Sequence, residues 1–104
     1  MKIPKRLTLL GQTITVEIKD DLYHLQEVHG LAVYRENKIL LQGSNDGITL
    51  TDESIEHNFM HELVHFVLYF AGEDSFDPPI HKREYLVDRI AGLLHQALKT
   101  AEFA

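Results

Sequence analysis

A chain of 104 residues with 44% hydrophobic residues fits one globular domain over residues 1–104, and no repeat or linker indicates a second. The absence of cysteine excludes disulfides and thiolate ligands, so a metal ion would be held by imidazole and carboxylate groups. The net charge of −6, with scattered lysine and arginine, argues against a nucleic-acid partner, and no apolar run approaches the roughly 20 residues of a membrane span. No signal peptide is evident, and we expect a cytoplasmic, soluble protein.

The first half of the chain alternates β-rich runs with turn residues. This alternation is typical of short strands joined by hairpins. The predicted segments are strands at 6–10, 13–18, 31–34 and 39–42, turns at 10–12 and 35–38, a loop or short helix at 20–28, and a loop at 43–47.

The second half changes to a helical period. Thr51 and the acids that follow it supply an N-cap and a negatively charged first turn, which predicts a helix over Asp52–Ala71 before Gly72. Two consecutive prolines make 72–80 a connecting loop, and a second helix is expected over 81–101. Its apolar face is predicted to pack into the core through Leu86, Val87, Ile90, Leu93, Leu94, Ala97 and Leu98. The fold class is therefore α+β, with a small, mainly antiparallel sheet packed on two helices.

The first helix contains the motif H-E-x-x-H. His61 and His65 are four residues apart, which places both imidazoles on one helix face, where they can reach one ion. Glu62 lies about 100° further around the axis, which favours a hydrogen bond to a metal-bound water over direct ligation. Asn58 and Tyr69 extend the same polar stripe. The competing interpretation is two ordinary core histidines beside a surface acid.

The second helix offers the remaining groups of a metal site. Catalytic zinc usually has three protein ligands and one open position, and Glu84 would lie level with both histidines if the helices were antiparallel. Asp88, one turn later, would hydrogen-bond the far ring nitrogen of a ligand histidine, or else pair with Arg83 or Lys82. His95 lies about 16 Å along the axis from Glu84, too far for the same ion.

Three further features have weaker signals. His81 and Tyr85, at the start of the second helix, could donate a hydrogen bond to a developing oxyanion, although no motif specifies either. The acidic loop 73–77 is expected to be a solvated turn rather than a cation site.

His61-Glu62-x-x-His65, followed by Glu84-x-x-x-Asp88, resembles the gluzincin pattern of the thermolysin-like zinc peptidases. The order of short strands, motif helix and glutamate helix is similar to minimal gluzincins and to small phage or bacterial proteins related to the ImmA/IrrE metallopeptidases. The resemblance covers about residues 48–98. It implies zinc ligation by His61, His65 and Glu84, a general base at Glu62, and an orienting role for Asp88.

The expected function is zinc-dependent hydrolysis of a peptide or protein substrate, with one zinc per chain. A strand at the sheet edge, assigned to 39–42, would align the substrate. One alternative is a non-catalytic binding module in which Asp77 or His81 closes the zinc site as a fourth ligand. A second alternative is a metal-free interaction protein with a vestigial motif.

Overall fold

The computed structural model describes residues 2–44, 50–72 and 78–103 and confirms the α+β class. Four strands form one sheet, and three α-helices and two short 3-10 turns complete the described structure. The strands are β1 (Arg6–Leu9), β2 (Gln12–Lys19), β3 (Gly30–Val33) and β4 (Lys38–Gln42), and the helices are α1 (Leu22–Gln26), α2 (Asp52–Ala71) and α3 (Glu84–Thr100).

Both predicted hairpins are present. β1 pairs antiparallel with β2 across a turn in which Leu10 and Gly11 have φ angles of 48° and 76°. Positive φ at both central residues is the requirement of a tight type I′ connection, which glycine meets without strain. β3 and β4 form the second antiparallel pair, joined through the 3-10 turn Tyr34–Glu36.

The sheet order is β1-β2-β4-β3, and two of the three strand pairs are antiparallel, as expected for a mainly antiparallel sheet. The central pair, β2 with β4, is parallel, so the sheet is mixed. β4 therefore lies inside the sheet, and the assignment of 39–42 as the edge strand is wrong. The edge strand on that side of the sheet is β3, which pairs with β4. Hairpin signals are local and do not indicate which hairpin strands become neighbours.

α2 has the bounds that its end signals predict. The Thr51 hydroxyl oxygen accepts a hydrogen bond from the Ser54 amide at 3.0 Å, and Gly72 ends the helix with a φ of 68°. The short helix α1 settles the ambiguity at 20–28, and the fully buried Gln42 side chain holds it by accepting from the Tyr23 amide at 2.6 Å. Residues 45–47 of the predicted loop and the whole acidic loop 73–77 lie outside the described residues.

α3 begins three residues later than predicted. The 3-10 turn Ile80–Lys82 precedes it, and an extended Arg83 separates the turn from the helix. The first helical hydrogen bond runs from the Val87 amide to the Arg83 carbonyl.

The predicted apolar face of α3 is only partly in the core. Val87 is fully buried there, together with Ala91, which was not predicted as part of this face, whereas Leu93 is 63% exposed and three other leucines are 37 to 52% exposed. The reason is that α3 packs against α2 and the turn Ile80–Lys82, which cover one side of the helix. The buried core lies between the sheet and α2 and includes Ile14, Ile39, Leu41, Phe59, Met60, Val64 and Phe66. No helix of the described part of the chain is long and apolar enough to cross a membrane.

Candidate metal centre

The site lies where the middle of α2 meets the first turns of α3. The contacts between the helices run in opposite chain directions, since Glu56 meets His95 and His61 meets Glu84. The helices are therefore antiparallel, and Glu84 is brought level with the H-E-x-x-H motif.

Three predicted ligands converge on one point. Nε2 of His61 lies 3.0 Å from one Glu84 carboxylate oxygen, and Nε2 of His65 lies 3.0 Å from the other. One donor atom from each of the three residues lies within 4.8 Å of the others. Among the described residues, these three form the group of histidine and acidic side chains whose donor atoms are close enough together to hold a metal ion. His95 is not in the group, and neither is His81.

The opposite ring nitrogens of both histidines are held by other groups. Nδ1 of His65 donates to the His81 carbonyl oxygen at 2.6 Å, and this acceptor fixes the tautomer because a carbonyl cannot donate. Nδ1 of His61 lies 3.2 Å from Asp88. Both rings consequently present Nε2 to the same point, because the group that holds the far nitrogen of a metal-binding histidine also fixes the orientation of its ring.

Asp88 joins two histidines of α2. The carboxylate oxygen that meets His61 also lies 3.2 Å from Nε2 of His57, one turn earlier on the helix. The hydrogen bond with His57 is the main reason why the pKa of Asp88 is below its usual range, and the bond with His61 acts in the same direction. His57 was not among the site residues predicted from sequence, although its spacing of four from His61 was a signal.

Glu62 is buried and points towards strand β3. Burial raises the pKa of its carboxyl to about 7 and the charge of Glu84 adds to this, while His61 and a hydrogen bond with the Ala32 backbone oppose it. A Cβ at Gly30 would lie 2.9 Å from a Glu62 carboxylate oxygen and 3.1 Å from its Cγ. Glycine at position 30 therefore leaves the space that the Glu62 side chain occupies.

A cavity of about 440 Å³ opens over these groups. Its walls include the three converging residues, Glu62, part of β3, and the side chains Tyr34 and His81. Of the two oxyanion candidates from sequence, His81 lines the cavity, whereas Tyr85 is 75% exposed and is not among the lining residues.

Tyr34 lines the cavity and was missed by the sequence analysis. Its ring stacks on Tyr69 at 4.4 Å and meets His81 edge-on at 5.5 Å. Burial, together with the charges of Glu62 and Glu84, raises its pKa to about 12, so the phenol remains a donor at neutral pH. No local motif marks this tyrosine, because only the fold brings the β3–β4 connection to α2.

His95 is separate from the site. It is buried and pairs with Glu56 at 3.0 Å, as expected for a structural histidine. Its distance along α3 from Glu84 keeps it away from the converging donors.

Comparison of the chain with models of protein families, with curated proteins and with solved structures gives no match. Function is therefore inferred from the residues of the site and their geometry.

Proposed function

We propose that this protein is a zinc-dependent peptidase of the gluzincin type that acts on peptide or protein substrates with Glu62 as general base. The observation that carries the proposal is the convergence of His61, His65 and Glu84, with the Nδ1 atoms of both histidines already held elsewhere.

The donor set fits zinc in chemistry and in size. Two imidazoles and one carboxylate are a ligand set of catalytic zinc sites, which keep a further position open. Zinc–ligand bonds of about 2.0–2.1 Å in a tetrahedron separate the ligand atoms by about 3.3 Å. One donor atom from each of the three residues lies within 4.8 Å of the others, so modest side-chain movements would bring the three to these separations around one ion. A zinc ion held by these residues would supply Lewis-acid chemistry, polarising a carbonyl oxygen and lowering the pKa of water.

The position of Glu62 supports a role in proton transfer. It follows the first ligand histidine, lines the same cavity, and lies on the β3 side of the site, where Gly30 leaves space for it. From there its carboxylate can accept a proton from the attacking water and pass it to the leaving amine.

β3 takes the role that the sequence analysis gave to β4. It is an edge strand, and Gly30, Leu31 and Ala32 line the cavity. Edge strands carry unpaired backbone groups, to which an extended peptide can add as another strand. Tyr34, at the end of this strand, is the hydroxyl donor that we assign to the substrate carbonyl. The absence of cysteine agrees with work in the cytoplasm, which is part of the proposal.

The test compares Glu62→Gln with the parent and with Glu53→Gln, an exposed glutamate on the same helix. Each protein is purified without a tag, its zinc content is measured, and cleavage of a mixed peptide library is followed by mass spectrometry. We expect about one zinc per chain in all three proteins, and a loss of hydrolysis of at least ~10²-fold in Glu62→Gln alone.

Two results would contradict the proposal. Equal cleavage by the parent and Glu62→Gln would remove Glu62 as the base. A full zinc content without cleavage of any peptide by the parent would favour a non-catalytic zinc module.

A further inference from the structure

His57 lies between α2 and α3, one helical turn before the first residue of the H-E-x-x-H motif. Its Nε2 lies 3.2 Å from an Asp88 carboxylate oxygen, and its ring centre lies 6.1 Å from that of His95. The ring is also close to the backbone of α3, since a Cβ at Gly92 would be in van der Waals contact with its Cε1 at 3.9 Å. Three residues of α3 therefore surround this one side chain of α2.

One oxygen of Asp88 links His57 to the metal centre. The same oxygen lies 3.2 Å from Nδ1 of His61. An ionised carboxylate only accepts hydrogen bonds, so His57 donates to it from Nε2 and His61 donates from Nδ1. The hydrogen bonds therefore run from His57 through Asp88 to His61, whose other ring nitrogen belongs to the converging group of donors.

Asp88 needs both donors to keep its position. Its side chain is 61% exposed, and its described hydrogen bonds are those with His57 and His61. An exposed carboxylate gains little from a single pair, because water competes for it and fixing the side chain costs entropy. A second donor, one turn away on the same helix, favours the side-chain conformation in which the carboxylate reaches His61.

We infer that His57 is a positioning residue of the metal centre, which holds Asp88 against Nδ1 of His61 and so keeps Nε2 of His61 directed at the metal. The inference rests on the zinc site of the proposed function but not on peptide hydrolysis. Groups that fix the ring of a metal-binding histidine raise the metal affinity, because the ring is already oriented when the ion arrives. His57 contributes indirectly, since it contacts Asp88 and not the ion.

A purely structural role for His57 leads to a different expectation. In that case the hydrogen bond with Asp88 only joins α2 to α3, and its loss lowers the stability without a specific effect on zinc affinity. α3 is also held by the buried pair of Glu56 with His95 and by the fully buried Val87. Variants of His57 should therefore remain folded, so that their zinc affinity can be measured.

The test compares His57→Gln with His57→Asn. Glutamine places an amide donor at about the position of the histidine Nε2 and can still reach Asp88, whereas the asparagine donor is one methylene shorter and cannot. Zinc affinity is measured by competition with a chromophoric chelator at about pH 8, where histidine is unprotonated. The Gln variant should bind within about twofold of the parent and the Asn variant about three- to tenfold more weakly, a smaller loss than the ~10- to 100-fold of a direct partner of a ligand.

A double-mutant cycle shows whether the effect passes through Asp88. In an Asp88→Ala background, His57→Asn should change the zinc affinity by less than about twofold, because the linking carboxylate is gone. Urea unfolding of the metal-free variants measures any general loss of stability, and the cycle separates that loss from the effect on zinc affinity.

Three results would each overturn the inference. They are a His57→Asn variant that binds zinc like the parent, a His57→Gln variant as weak as His57→Asn, and an effect of equal size with and without the Asp88 carboxylate. A parent that binds no zinc would refute the inference together with the zinc site. Hydrolysis plays no part in these measurements, so the inference and the proposed peptidase activity can fail separately.

Discussion

Replacing Gly30 by alanine tests how strand β3 positions the proposed base. The added methyl group would lie 2.9 Å from a Glu62 carboxylate oxygen and 3.1 Å from Cγ, closer than these atoms approach without a shift. The carboxylate oxygen is the end of a flexible side chain, but Glu62 is only 8% exposed and has little room to turn. The side chain must therefore leave the Ala32 backbone that it contacts.

Three contributions determine the expected magnitude. Overpacking at a buried position costs about 1–3 kcal/mol, and loss of a hydrogen bond to a carboxylate about 1.5–3 kcal/mol. Alanine in place of glycine stabilises the folded state by about 0.4–1 kcal/mol, because it reduces the conformational entropy of the unfolded chain. A shift of the Glu62 side chain relieves part of the overpacking when it breaks the hydrogen bond, so these two costs are not fully additive. Gly30→Ala should therefore lower the free energy of unfolding by about 1–2 kcal/mol.

The assay is a double-mutant cycle in urea on metal-free protein, with Glu62→Ala as the second substitution. Removing the Glu62 side chain removes the clash, so Gly30→Ala should then be neutral or stabilising by up to about 1 kcal/mol. The expected coupling between the two positions is about 2 kcal/mol. If Gly30→Ala cost the same with and without the Glu62 side chain, the contact between β3 and Glu62 would not be the cause, and the reasoning would be refuted.

Three other predictions concern α2 and α3. Glu84→Ala should lose most of its zinc on purification, whereas Asp88→Asn should retain it with an affinity about 10- to 100-fold lower; elemental analysis giving the reverse pattern would make Asp88 the third ligand. His95 lowers the pKa of Glu56, so this pair should stabilise the protein above about pH 4.5 and lose its effect as the pH falls through the lower folded pKa. The difference in urea stability between the parent and Glu56→Gln should therefore shrink on acidification, and a constant difference would argue against the pair. Gly92→Ala, whose Cβ would lie 3.9 Å from Cε1 of His57, should raise the unfolding free energy by up to about 1 kcal/mol, and a lower melting temperature would contradict this.

The parts of the structure that sequence predicted well depend on neighbours along the chain. α2 has its predicted bounds because Thr51 caps the first turn and Gly72 adopts the left-handed conformation at the end. The closeness of His61 and His65 follows from the helical period. Hairpins are similarly local, and both appeared where the turn residues indicated them.

The start of α3 shows where local signals were insufficient. The helical pattern extended to residue 81, but the helix begins at Glu84. The residues before it form a 3-10 turn that brings the His81 carbonyl to His65. This hydrogen bond links positions 16 residues apart, so nothing in the local pattern could show it.

Tertiary packing decided the rest. The parallel pairing of β2 with β4 made β3 the edge strand beside Glu62, and the same arrangement brought Tyr34 to the cavity. Sequence identified α3 as amphipathic but not how much of its apolar surface α2 would cover. A periodic pattern records which residues share a face, because that depends on backbone geometry alone. The contacts of each face depend on how distant segments pack, and that arrangement placed Glu84 at the two histidines and left Leu93 exposed.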